Sequence, residues 1–143
     1  ITNEINKLMD IILKYNPLKI YYFASPKIYF GNKIPDNKKK EYLEYFLNIP
    51  IQILKKFSKY NISFFYPSTE FIKTNKNSMY SKIKRKAEKQ IKTLCLNKKI
   101  PYAIHRFPAI NSRQSITLSN PKNKSLDEYL KDNEKLVDKI ILF

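Results

Sequence analysis

Apolar positions along the 143 residues follow a helical rhythm and a strand rhythm in turn. Over residues 2–15, Ile5, Leu8, Met9, Ile12 and Leu13 fall at helical spacing, with Thr2 or Asn3 able to cap. After Pro17 the run "LKIYYFAS" is short, β-rich and apolar, which predicts a buried strand. "PKIYFGNKIPDNKKK" carries two prolines and the only glycine, Gly31, and predicts a loop. A helix is predicted over 39–59, turning Leu43, Phe46, Leu47, Ile51 and Leu54 inward, with a kink or break at Pro50. The cycle then repeats. "ISFFYPS" predicts a strand, "TEFIKTNKNS" a loop, and 79–97 a helix with Ile83, Ala87, Ile91 and Leu94 in its stripe. "IPYAIHRFPAI" predicts a third strand, residues 111–125 a polar connection, and Ser125 caps a last helix with Asp127 and Glu128 in its first turn. Strands alternating with helices predict an α/β fold: a partial doubly wound, Rossmann-like parallel sheet of about three strands in one domain over 1–143. Ligands of such sheets sit beyond the carboxyl ends of the strands, so the loops after Ser25, Ser68 and Phe107 are expected to share a site.

Charge changes this picture little. There are 28 basic and 12 acidic residues, a formal charge of +16, but only Arg85, Arg106 and Arg113 are arginine. Base reading and phosphate clamping rely on the planar arginine fork, and these lysines are scattered, so nucleic acid is not the expected partner. One cysteine, Cys95, excludes an internal disulfide and suits a reducing compartment; cytoplasm is the expected location. No apolar run reaches the length of a membrane span, so no membrane partner is expected. Cys95 and His105 have no ligand spacing around them: Cys95 is expected as a small buried hydrophobe, His105 as a core or face histidine, and no metal site is expected.

The segment "MYSKIKRKAEKQI" places Tyr80, Lys84 and Glu88 one helical turn apart in succession. With "KIYYFAS" before it, "YFLNIPIQILKKFSKYNISFFYPSTEF" between, and "IPYAIHRFPAI" after, the ordered set over about 16–110 resembles the second half of a short-chain dehydrogenase/reductase. It is most similar to the extended type, which includes epimerases, dehydratases and reductases of nucleotide-sugars. The resemblance implies an NAD(P)-dependent reaction, with NAD or NADP as cofactor, at a carbonyl or alcohol carbon of a small molecule, a sugar-derived one among the candidates. It implies catalytic roles for Tyr80, Lys84, Thr69, Ser68 and Asn48, and cofactor contacts at Ala24, Ser25, Phe107 and Pro108 besides Tyr80 and Lys84.

Chemistry supplies reasons for these residues. A tyrosine hydroxyl titrates near 10, and a lysine ammonium one turn away is expected to lower that value by stabilising the phenolate. Thr69, with Ser68 as the alternative, is expected to donate a hydrogen bond to a substrate oxygen. A plainer reading competes: Tyr80 packs its ring, Lys84 is one solvated lysine among Lys82, Lys86 and Lys89, and Ser68 and Thr69 cap a turn. The sequence also departs from the family. A dinucleotide fold needs a Gly-rich turn against the pyrophosphate, and one glycine cannot supply it. A chain opening at Ile1, inside a helix, is therefore read as a fragment lacking the N-terminal phosphate-binding half. The alternative is a non-catalytic basic α/β module that binds a protein or a polyanion. Substrate, choice of cofactor and oligomeric state are left open.

Overall fold

The computed structural model describes residues 19–29, 34–110 and 123–135, together with positions 6, 7, 10, 11 and 14, which are helical. The rest of the expected first helix lies outside the described residues. Three parallel strands form one sheet in the order β1 (Lys19–Tyr21), β2 (Ser63–Thr69), β3 (Tyr102–Phe107). Between β1 and β2 run α1 (Asp36–Leu43), a π-helical turn (Glu44–Asn48) and α2 (Ile49–Phe57). Between β2 and β3 come the single turn α3 (Phe71–Thr74) and the long α4 (Met79–Lys98); α5 (Leu126–Lys131) follows β3. This is an α/β fold with helices alternating with a parallel sheet, in the manner of part of a Rossmann-like domain.

β1 is shorter than the apolar run that predicts it: its register with β2 ends at Tyr21 opposite Phe65. β2 is the central strand, buried along almost its whole length. Its Phe64 and Tyr66 meet Leu47, Ile53, Leu54 and Phe57 from the first crossover and Ala87, Ile91 and Cys95 from α4. Both crossovers therefore share one face of the sheet, and α2 packs on α4. Each fully buried side chain of this kind stabilises the fold by roughly 1.5–3 kcal/mol before the entropy of ordering it is subtracted.

Pro50 decides how the first crossover is built. A proline has no N–H for the carbonyl four residues earlier, and its ring clashes with it. The chain answers with the π-turn, in which the Ile49 N–H reaches back to the Glu44 carbonyl. The carbonyls of Tyr45 and Phe46 then take side-chain donors instead: Tyr22 donates its hydroxyl to Tyr45 O at 2.5 Å, and Tyr66 donates to Phe46 O at 2.8 Å. The break expected at Pro50 is thus a π-turn just ahead of it, with helix on both sides.

At the start of α4, Ser78 accepts the Ser81 N–H at 3.1 Å; at its end Lys99 adopts the left-handed conformation, φ 55°. α5 opens on a full capping box between Ser125 and Glu128.

Candidate active site

The carboxyl end of β2 and the first three turns of α4 face each other, and the site is made between them. Tyr80, Lys84 and Glu88 occupy successive turns of α4. Lys84 runs inward beside the buried Ile83 and Ala87, and is only 5% exposed. Its Nζ donates to the Pro67 carbonyl at 2.8 Å and lies over the rings of Phe46 and Tyr66, 4.2 and 4.6 Å from their centroids. The reading of Lys84 as a solvated lysine is corrected by this burial. Desolvation brings its pKa down to about 7, against the pull of the Glu88 carboxylate, which favours the ammonium.

Tyr80 packs edge-on against Tyr42 and Phe46, at 6.0 and 5.3 Å between centroids. Burial pushes its phenol up to about 12; Thr69 offsets part of the rise and Tyr42 adds to it. The lowered phenol expected from the Lys84 ammonium is therefore not what this environment produces. Removal from water dominates at Tyr80, and the Lys84 ammonium is itself disfavoured in the same place. Thr69 Oγ1 accepts the Phe71 N–H at 3.2 Å, so it does cap the turn after β2 while also facing Tyr80.

One turn further on, Glu88 and Arg106 form a two-pronged ion pair, Nε to Oε1 at 2.9 Å and Nη2 to Oε2 at 2.6 Å, tying α4 to β3. Burial alone would raise the Glu88 carboxyl, but the Arg106 hydrogen bonds outweigh it and hold the pKa below the usual range. Ser68, opposite Arg106 in the sheet register, lies beside Glu88 with a buried Oγ that completes no hydrogen bond.

The fold thus brings Tyr80, Lys84, Thr69 and Ser68 together. Asn48 stays apart: it is exposed and donates to Glu44 Oε2 at 2.9 Å within its own turn. Ala24 and Ser25 follow β1, the serine donating to the Pro26 carbonyl at 3.1 Å. Phe107 ends β3 turned to the other face of the sheet, against Phe65, His105 and Tyr129, with the half-buried Pro108 after it. His105 is half-buried and meets the Tyr129 hydroxyl at 3.2 Å, the face histidine expected. Cys95 is buried among apolar side chains, its thiol pushed up to about 11 by desolvation. Sequence reasoning missed Tyr42 and Tyr66 and read Phe46 as an inward core residue without a part in the site, yet the rings of all three enclose the pair. Their signal was available in part, since Tyr42 and Phe46 stand one helical turn apart.

Among the described residues no group of three or more histidine, cysteine or acidic side chains is arranged to hold a metal ion. No helix among them is long and apolar enough to cross a membrane. No protein-family model and no curated protein matches the chain.

Proposed function

We propose that the protein is an NAD(P)-dependent oxidoreductase, epimerase or dehydratase of the short-chain dehydrogenase/reductase type, acting at a carbonyl or alcohol carbon, with sugar-derived compounds as the first substrates to try. The observation that carries this reading is the convergence of Tyr80, Thr69 and Lys84 at the carboxyl end of the central strand, in the order the family resemblance requires. The Glu88–Arg106 pair supports it by joining two further matched positions.

The described residues do not hold a dinucleotide by themselves. Lys84 is occupied by the Pro67 carbonyl and two aromatic rings, and the single glycine cannot form a pyrophosphate turn. The roles that remain are those of this chain's own groups. A phenol held near 12 keeps its proton at neutral pH, so Tyr80 is suited to giving a proton to an oxygen that gains negative charge. Thr69 would donate a hydrogen bond to the same oxygen. Lys84 fixes the Pro67 carbonyl and with it the backbone that presents Ser68 and Thr69.

The test is a survey of the whole protein with NADH and NADPH against aldehydes, ketones and nucleotide-sugars, followed by absorbance of the reduced nicotinamide. Tyr80→Phe is expected to lower turnover by about a hundredfold or more, while Lys82→Met, on the exposed face of α4, leaves it unchanged. Absence of turnover with every substrate, or full activity in Tyr80→Phe, rejects the reading.

A further inference from the structure

Behind the Glu88–Arg106 pair lies an open groove of about 770 Å³ between α4, α3 and β3. Its floor is the outer edge of β3, which has no strand beside it among the described residues. The Phe64 N–H bonds Pro101 O and the Glu70 N–H bonds Phe107 O, both at 2.9 Å, so alternate residues of β3 from Pro101 to Phe107 turn their main-chain groups to β2. The N–H and C=O of Tyr102, Ile104 and Arg106 consequently point outward into the groove. A row of outward main-chain donors and acceptors is a template for another strand.

The walls are basic. Arg85, Lys89 and Lys92 project from one face of α4 and Lys73 from α3, against Glu70 alone, since Glu88 and Arg106 neutralise each other. Two polyanions fit such a charge, a nucleic acid or an acidic polypeptide. The arginines decide between them: Arg106 is held by Glu88, and Arg85 donates through Nη2 to the Ile72 carbonyl at 3.1 Å. The forks of Arg85 and Arg106 are already engaged, whereas the outer edge of β3 has no strand beside it among the described residues.

We infer that this groove binds an extended acidic peptide of another protein, which adds to β3 as a fourth strand and sets its acidic side chains against Lys89, Lys92 and Lys73. Because a strand turns alternate side chains to opposite faces, the peptide places acidic residues toward α4 and apolar ones toward His105 and the aromatic face behind it.

The probe is a fluorescein-labelled peptide of alternating Glu and Val, about eight residues long, enough to cover an edge strand. Its controls are the Lys–Val counterpart and single-stranded oligothymidylate. The acidic peptide is expected to bind and to weaken with salt, and Lys89→Glu with Lys92→Glu is expected to reduce affinity about tenfold or more. Both lysines are exposed, so the circular dichroism spectrum is expected to be unchanged. Amide hydrogen exchange separates strand addition from plain charge attraction. Binding is expected to slow the amides of Tyr102, Ile104 and Arg106 by about tenfold or more while leaving Ala103, His105 and Phe107 as they were. No binding of the acidic peptide, binding without that alternation, indifference to the double charge reversal, or tighter binding of oligothymidylate overturns the inference.

Discussion

Tyr66 donates its hydroxyl to the carbonyl of Phe46, which Pro50, four residues further on, leaves without a helical partner. One hydroxyl thereby repairs the main chain of the first crossover and sets both rings beneath Lys84. Tyr66→Phe is expected to cost about 1–3 kcal/mol by stranding a buried carbonyl. Pro50→Ala restores an N–H at that position, so in its background the loss from Tyr66→Phe is expected to shrink. Urea midpoints of the four proteins measure the coupling; additive losses would show that the carbonyl is satisfied another way.

Lys84 makes stability depend on pH. Its pKa in the fold is about 7, below the value of 10.5 that it has in the open chain. Between about pH 7 and 10 the unfolded chain therefore holds a proton that the folded chain lacks, and stability rises with pH across that window. Below 7 the full cost of the buried charge remains. Above 10 the raised phenols of Tyr22, Tyr66 and Tyr80 reverse the slope. Lys84→Met is expected to flatten the rise. Chemical denaturation at pH 7 and 9.5 on both proteins decides it, an equal slope in the variant excluding Lys84 as its source.

Glu88 is the acidic group that favours the Lys84 ammonium. Glu88→Gln is expected to move the Lys84 titration to lower pH, observable by NMR on its side-chain nitrogen. The ion pair itself is half open to water, Arg106 being 38% exposed, so screening limits its worth. A Glu88→Ala, Arg106→Ala cycle is expected to give a coupling of about 1 kcal/mol.

Lys99 ends α4 in a conformation that only glycine adopts without strain. Its N–H and that of Ile100 close the helix onto Leu96 O and Cys95 O. Lys99→Gly is expected to keep these bonds and raise stability by about 1 kcal/mol. Thermal unfolding that shifts downward would mean that the Lys99 side chain contributes more than its strain costs.

Much of this was legible in the chain. α4 was legible through its apolar stripe of Ile83, Ala87 and Ile91 and through the buried Cys95; it departs from the reading in leaving Leu94 half-buried and in burying Ser81 and Lys84. The inward course of Lys84 was harder to see. It lies three and seven residues before Ala87 and Ile91 on the buried face, but a lysine-rich composition hides a single lysine of that kind. The Glu88–Arg106 pair joins groups 18 residues apart that meet only because β3 returns parallel to β2. The effect of burial on Tyr80 depends on Tyr42 and Phe46 arriving from another crossover, which no local pattern encodes.

The order of the strands in the sheet is their order in the chain. Among these three strands each therefore emerges after the neighbour that precedes it, and none has to be threaded between two that are paired. β1 with its crossover offers β2 a surface, and β2 with α4 then offers one to β3. These three strands are expected to add to one another in chain order while still on the ribosome, with the outer edge of β3 the last of theirs to be presented.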